Sequence, residues 1–415
     1  MRILVVAQYF PPEPVKVGDV VRGLRELGHD ITVVTGFPQY PYGQIYPGYR
    51  MRVFQRDVRD GVRIIRVPIF PDHSYSRPKR FLNYASFALT GSVLGPLLAG
   101  AYECVFVFQT SPVSMAIPAV VCRWLRRRSR LVIWVQDLWP DTLESAGMLS
   151  AGWLLRMIGW LARRIYASGD AVLVQSPGLV DRLAGYGVAP ERIHYLPNWA
   201  EDVYGVVPPD PAFARAEGLD GGFNVVFAGT IGVAQNLETV VQAAALLRDD
   251  PGVRFVIVGD GAASAQIMHL AARLGVRNVV FTGRRPPEQM PHFFAAADAL
   301  LVALRNTPLF ARTIPAKLQA YMACGRPIIA ALEGDGAEVV VESGGGVVCR
   351  AGNPEDLRDA VVRMRRLPKD ARDAMGRNAR RYYEAHFDRG LILTRLNRLI
   401  AAGQEKKEAA PWSFA

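Results

Sequence analysis

The sequence predicts an α/β protein of two doubly wound parallel domains, and three observations carry that expectation. In mid-chain the strand-like run Asn224-Val225-Val226-Phe227-Ala228 gives way to Gly229-Thr230-Ile231-Gly232 and then to a helical pattern over residues 237–247. A β-branched run that ends in glycine and passes into a 3.6-residue period is how a parallel βαβ unit begins. The N-terminus opens in the same way. Arg2-Ile3-Leu4-Val5-Val6-Ala7 reads as a buried strand and residues 19–27 as the following helix, with Asp19 as its cap and Gly28 as its stop. Between the halves, Pro208-Pro209-Asp210-Pro211 and Gly221-Gly222 mark a linker. The division expected is a first domain over residues 1–200, a linker over 201–222, a second domain over 223–384, a C-terminal helix over 385–403 and a frayed tail over 404–415. Open parallel sheets bind ligands beyond the carboxyl ends of their strands, so the site is expected in the cleft between the domains.

The remaining elements follow from the same signals. Residues 31–35, 62–67, 104–109, 131–135, 171–175 and 193–196 read as further strands of the first domain, with function expected in the loops at their carboxyl ends. In the second domain, strands at 253–258, 279–282, 299–304 and 327–331 alternate with helices, one of them running from Pro315 to residue 323. Another helix can start from Glu333-Gly334-Asp335-Gly336-Ala337, and helices alone are expected from there to the end of the chain. Residues 81–102 carry no charge and are long enough to span about 30 Å of hydrocarbon. Asn83, Ser86, Thr90, Ser92 and Pro96 dilute them, so a surface helix, buried or facing a membrane, is the reading preferred.

The charge is uneven. Residues 1–200 hold 23 Lys/Arg against 14 Asp/Glu, a net of +9 out of the +11 of the whole chain. Such a field suits nucleic acid, anionic lipid or a phosphorylated acceptor, and no nucleic-acid motif accompanies it. The four cysteines are far apart and show neither a disulfide framework nor a zinc spacing, which suits a reducing cytoplasm. The N-terminal apolar run stops at Gln8 without a small-residue cleavage site and reads as a strand rather than a signal peptide.

Several chemistries are excluded by what the turns lack. No G-x-G-x-x-G follows the first strand and no P-loop occurs, which argues against a dinucleotide enzyme or a nucleoside triphosphatase. No D-x-D occurs either, Glu333-x-Asp335 being a weak substitute, so no metal is expected. What remains is a set of glycine-rich strand ends before helix N-termini: Gly18, Gly229 with Thr230, Gly232, and Gly334, Asp335, Gly336 and Ala337. Backbone N–H groups there suit an anion such as a diphosphate, although each glycine alone is also an ordinary turn. Lys317 lies in the first turn of its helix, where its charge opposes the dipole unless an anion is present. Asp137 and Trp139 suit a polyhydroxylated ligand, or else Trp139 is core and Asp137 caps the next helix. Arg284 either stacks on a base or is solvated.

Longer motifs then carry a resemblance. Gln8-Tyr9-Phe10-x-Pro12-Glu13, Gly28-His29-x-Ile31-Thr32-Val33, Phe37-Pro38-x-Tyr40-Pro41, Trp134-Val135-Gln136-Asp137-Leu138-Trp139-Pro140, Pro197-Asn198-Trp199-Ala200-Glu201-Asp202, Gly229-x-Ile231-Gly232-x-Ala234-Gln235 and Ile314-Pro315-x-Lys317-Leu318-Gln319-x-Tyr321 stand in order along the chain. Together they resemble the retaining glycosyltransferases of family 4, above all the branch of bacterial O-antigen and capsule clusters assigned as fucosaminyltransferases. The resemblance implies the GT-B fold, with a nucleotide sugar held mainly by the second domain, an acceptor by the first, and a final helix, residues 382–400, returning to the first.

Carried over by position, the donor side comprises Gly18, Gly229, Thr230, Gln235, Arg284, Lys317, Glu333, Gly334, Asp335, Gly336 and Ala337. The acceptor side comprises Glu13, Lys16, Tyr40, Gln136, Trp139 and Asn198, and Lys317 and Asp137 are the catalytic candidates. The chain departs from the broader family in having Arg312 and Ala320 in place of a glutamate pair, Thr230 for an arginine, Gln235 for a lysine, Gln136 for a histidine and Ala316 for a serine. The activity implied is transfer of an N-acetylated or 6-deoxy amino sugar from a UDP-sugar to a polyprenyl-diphosphate-linked glycan at the cytoplasmic face of an anionic membrane. It needs no further cofactor and involves no nucleic acid. Without a positioned nucleophile the mechanism implied is front-face displacement. The rival readings are a UDP-amino-sugar 2-epimerase and a non-catalytic protein that only binds donor or lipid.

Overall fold

The computed structural model describes residues 1–402 except His73, Tyr75, residues 146–150 and Pro251, with the side chain of Arg77 also left aside; the expected tail lies outside the described residues. Two compact units divide the chain. The first comprises Met1–Gln175, Leu179–Leu196 and the chain from Ile392 on, and the second comprises Ser176–Gly178 and Pro197–Leu391.

In the first unit the order is β1 (Arg2–Val6), α1 (Val17–Glu26), β2 (Asp30–Gly36), β3 (Gln55–Arg59), β4 (Val62–Val67), α2 (Arg77–Leu98), β5 (Cys104–Gln109), α3 (Ile117–Leu125), β6 (Arg130–Val135), α4 (Asp141–Ser145), α5 (Gly152–Ala167), β7 (Ala171–Val174), α6 (Val180–Ala184) and β8 (Ile193–Tyr195). The eight strands lie in the order β3-β4-β2-β1-β5-β6-β7-β8, with β3 antiparallel to β4 and the other pairs parallel. All six residues of β5 are buried, as are the last four of β1, and both faces of a parallel sheet are covered by helices. The chain winds outward from β1 to β4 and then returns to β5 on the other side of β1, so the topological switch lies between β1 and β5.

The second unit holds α7 (Pro211–Ala216), β9 (Phe223–Ala228), α8 (Leu237–Leu246), β10 (Val253–Val258), α9 (Ser264–Arg273), β11 (Val279–Gly283), α10 (Met290–Ala296), β12 (Ala299–Ala303), α11 (Ala316–Ala323), β13 (Ile328–Ala331), α12 (Asp335–Ser343), β14 (Gly346–Cys349), α13 (Pro354–Arg366) and α14 (Lys369–His386). Its six strands run β11-β10-β9-β12-β13-β14, all parallel, with the switch between β9 and β12. Phe227, Val240, Val241, Phe255, Leu301 and Ile329 anchor its core. The last helix, α15 (Arg389–Ala401), is counted with the first unit from Ile392 on. There Leu393 packs against Gly23 of α1, His29 Nε2 meets Asn397 Oδ1 at 2.9 Å, and Arg395 donates to the carbonyl of Tyr195 at 3.1 Å.

Several elements differ from expectation. Helix α1 starts at Val17 with Lys16 at its cap; Asp19 instead sits in the first turn and pairs with Arg22 at 2.8 Å. Gly28, at φ 87°, ends that helix as expected. The stretch read as linker carries α7, capped by the Asp210 carboxylate on the N–H groups of Ala212 and Phe213. Pro315 caps α11 rather than opening it. The run of helices at the C-terminus is interrupted by β14, and the single helix expected over residues 382–400 is two, α14 and α15, broken at Phe387.

Helix α2 is long and apolar enough to cross a membrane by length and composition. One side packs on the first sheet through Asn83, Phe87 and Ala88, while Phe81, Leu89, Val93 and Leu97 are exposed. Asn83 accepts from Gln8 Nε2 at 2.7 Å and donates to the carbonyl of Phe70 at 2.7 Å, which ties α2 to the end of β1.

Glu13 fixes the loops at the carboxyl ends of β1 and β2. Its carboxylate accepts from the backbone N–H groups of Phe10 (2.8 Å), Gln39 (2.8 Å) and Tyr40 (2.7 Å) and is buried. Burial pushes its pKa up against the pull of those three donors. Hydrogen bonds to a charged group contribute about 1.5–3 kcal/mol each, and an amide here would set an N–H against an N–H. Glu13→Gln is therefore expected to lower the stability in urea by about 1.5–3 kcal/mol; an unchanged unfolding midpoint would show that the clamp carries little.

Candidate functional site

In the second unit the candidate site gathers at the carboxyl ends of β9, β10, β12 and β13, beside the switch point where open α/β sheets bind ligands. Directly after β9 stands Gly229 at φ 138°, a conformation that L side chains rarely adopt. A Cβ there would lie 2.5 Å from Lys317 Cε and 2.9 Å from its Nζ, so the lysine chain lies directly over the glycine. The ammonium stands 4.7 Å from the centre of the Phe227 ring. No carboxylate lies within ion-pair distance of it among the described residues. Desolvation alone lowers its pKa from 10.5 to about 8. In the fold α11 begins at Ala316, so Lys317 occupies its first turn, where the positive end of the helix dipole opposes a cation. Lys317 is thus a partly buried cation with an aromatic face and no carboxylate partner among the described residues.

The other donor-side candidates surround this lysine unevenly. Gly334, at φ 66°, approaches the Ala311 backbone so closely that any side chain would collide with it, and it starts α12 with Gly336 and Ala337 in the first turn. Asp335 is already committed: its Oδ2 accepts from Ser176 Oγ and from the N–H of Gly178 at 2.6 Å, and Ser176 Oγ in turn accepts from Ile314 N–H at 3.0 Å. Glu333 accepts weakly from the N–H of Ala351 at 3.3 Å. Thr230 and Arg284 are exposed, and Gln235 lies in a short 3₁₀ turn ahead of α8.

In the first unit a second cluster forms at the ends of β5 and β6. Ser111 Oγ donates to Asp137 Oδ2 at 2.8 Å and accepts from Trp139 Nε1 at 2.9 Å. Asp137 therefore does not cap the next helix, which starts at Asp141. Burial pushes its carboxyl pKa up, against the bond from Ser111. Gln109 Nε2 donates to the Asp137 carbonyl at 3.1 Å, and the Tyr166 hydroxyl donates to Gln109 Oε1 at 3.2 Å. Gln136 and Asn198 stand at the ends of β6 and β8, both held by further contacts. Tyr40 faces Tyr9, ring centres 5.1 Å apart, and accepts from Tyr46 at its carbonyl. Lys16 caps α1, and Gly18 packs within it against the Pro11 ring. Glu13, by contrast, points all its acceptor capacity into backbone.

The family model of the "Glycosyl transferase 4-like domain" matches residues 15–199, and that of "Glycosyl transferases group 1" matches residues 222–366. The chain belongs to the family 4 glycosyltransferases. Among its relatives is WcaI of Escherichia coli K12, named for a colanic acid biosynthesis glycosyl transferase. It is 29% identical over 78% of this chain and 82% of its own length. The glycosyltransferase WbjE of Pseudomonas aeruginosa is 28% identical over 54% of this chain, which spans 57% of WbjE. Among solved structures, HepE of Anabaena in complex with UDP superposes with a TM-score of 0.68 at 15% identity, covering 97% of this chain and 99% of that one. The fold is accordingly GT-B, built on the two Rossmann-like sheets.

Sequence reading of this glycosyltransferase named Lys317, Gly229, Asp137 and Trp139 but missed Ser111, Gln109 and Tyr166. Only tertiary structure brings those three to Asp137. The cysteines are all free.

The Lys317 environment has a measurable cost. Because its folded pKa lies below the unfolded value, the native protein binds fewer protons than the unfolded chain between about pH 8 and 10.5. Stability therefore rises with pH across that window, and the penalty is fully present below it. At 1.4 kcal/mol per unit the penalty is of order 3 kcal/mol. Lys317→Met is expected to raise the melting temperature at pH 7, with the gain shrinking as pH rises through the window; a variant less stable than the parent at pH 7 would contradict the assignment.

Proposed function

We propose that this glycosyltransferase transfers a sugar from a UDP-sugar to a polyprenyl-diphosphate-linked glycan, with retention at the anomeric carbon, during synthesis of a cell-surface polysaccharide. The observation that carries the reading is the desolvated ammonium of Lys317 over Gly229, unpaired by any carboxylate among the described residues and suited to a leaving diphosphate. The N-terminus of α12, opened by Gly334, supplies further backbone N–H groups to the same end of the sheet. With no side chain placed as a nucleophile, the departing diphosphate takes the acceptor proton as the glycosidic bond forms on the same face. Lys317 stabilises the charge that develops on the diphosphate, and such preorganised electrostatics carry most of the acceleration. Asp137, held by Ser111, orients an acceptor hydroxyl, and Trp139 offers a sugar-facing edge.

The HepE complex holds UDP on this fold, and WcaI is named for colanic acid biosynthesis; both support the donor and pathway class. An N-acetylated or 6-deoxy amino sugar is the transferred group that the shared motifs favour. The protein works as a peripheral protein on the inner face of the plasma membrane, a reading supported by the +9 excess of residues 1–200 and the exposed apolar side of α2.

Turnover of UDP-sugars with cell membranes as acceptor, followed by mass spectrometry, tests this. Lys317→Ala is expected to lower kcat by about 100-fold or more, the loss of one oxyanion donor. Gly229→Ala, whose methyl collides with Lys317 Cε, should fall in parallel. Unchanged turnover in Lys317→Ala removes the lysine from the mechanism. Free epimerised sugar without acceptor would establish an epimerase, and tight UDP binding without any turnover a binding protein.

A further inference from the structure

We infer that the outer face of α5 is a membrane-inserting surface for anionic lipid, joined by direct packing to the loop that carries Asp137. Along this helix Trp153, Met157 and Trp160, spaced to share one face, are 65%, 51% and 59% exposed. Tryptophan is normally well covered in a folded domain, and two on one helical stripe make an apolar surface that folding leaves open. Arg156, Arg163 and Arg164 are exposed beside them, and no acidic residue occurs between Gly152 and Ala167. The Arg164 guanidinium lies 5.5 Å from the centre of the Trp160 ring. Interleaved indole and guanidinium groups match the headgroup level of a bilayer, where the ring is half-solvated and the cation meets phosphate.

The topology extends this face. The connections β4 to β5, β5 to β6 and β6 to β7 all move in one direction across the first sheet. Right-handed crossovers therefore place α2, α3 and α5 on the same side of it. Phe81, Leu89, Val93 and Leu97 of α2, and Trp124 and Leu125 at the end of α3, are exposed there too, followed by Arg126, Arg127 and Arg128. A face without carboxylates suits an anionic surface, and the interleaved exposed indoles favour the interface of an anionic bilayer.

What distinguishes α5 from a generic basic surface is its link to the site. Gly159 packs against the Pro140 ring, a Cβ at that glycine lying 3.8 Å from Pro140 Cγ. At the far end of the helix the buried Tyr166 hydroxyl holds Gln109, which holds the Asp137 backbone. A helix fixed in the interface thus sets the position of the Asp137–Trp139 loop relative to the lipid, where a membrane-anchored acceptor would present its first sugars. This step rests on the peripheral-membrane reading above but assigns its anchor to α5, which neither the overall charge excess nor the exposed side of α2 singles out.

The test is binding of the full chain to phosphatidylglycerol/phosphatidylcholine vesicles by co-sedimentation, with brominated acyl chains as a quencher of tryptophan fluorescence. The parent should bind and be quenched. Trp153→Ser combined with Trp160→Ser should lower partitioning at least about tenfold and abolish most quenching, while the melting temperature stays within the parent's range because both rings are exposed. The single variants should each lose part of both signals, which keeps the test open if the double variant folds poorly. If the double variant binds and is quenched like the parent, α5 is not the anchor, although the peripheral reading survives. If the parent binds no vesicles, both fall, and loss of a self-associated form in the double variant would identify the face as an interface between copies.

Discussion

The desolvated cation at the end of β9 organises the second unit. Lys317 has Phe227 beneath it and Gly229 beside it, and it sits at the wrong end of a helix for its charge. The aromatic face attracts the ammonium, but the other features are unfavourable alone: the glycine removes a side chain from the strand end, burial lowers the lysine pKa, and the dipole repels the charge. On the proposed function, a diphosphate at the site would attract both the ammonium and the helix N-terminus, offsetting the desolvation cost and the dipole's repulsion. On that proposal the stability lost in the free protein would be the counterpart of charge stabilisation during transfer, a trade-off common at active sites.

The first unit is built differently, around loops pinned by buried polar groups rather than around one free charge. Glu13 holds two strand-end loops through three backbone N–H groups, and Ser111 joins Asp137 to Trp139. Asp137 keeps a raised pKa in that setting, so its carboxylate is costly to bury and must be held in place. Loops so fixed hold a carboxylate and an indole in defined positions at the ends of β5 and β6.

The parallel strands were legible because both faces of each sheet are covered: the predominantly apolar, β-branched runs at Val62–Val67, Cys104–Gln109 and Val253–Val258 match the structure residue for residue. Strand β3 was not, since Gln55-Arg56-Asp57-Val58-Arg59 is an exposed antiparallel edge whose only warrant is pairing with β4. Strand β14 was missed as well: its short Gly346-Val347-Val348-Cys349 run opens on glycine, directly after Gly344 and Gly345, and reads as a turn between helices. The break between α14 and α15 falls at Phe387, a residue that gives no helix-stop signal. Within the site, Lys317 and Gly229 stood out by type and position, whereas Ser111, Gln109 and Tyr166 are ordinary residues made significant only by contacts across 26, 28 and 57 positions of chain.

The most direct test of the account is a pH titration of the Lys317 side-chain nitrogen by NMR, assigned with Lys317→Arg, in the free protein and with UDP added. The structure predicts a pKa of about 8 in the free protein, raised when the diphosphate binds, together with net proton uptake above that pH. A lysine that titrates near 10.5 and does not respond to UDP would contradict the central claim that this cation is held in reserve for a diphosphate.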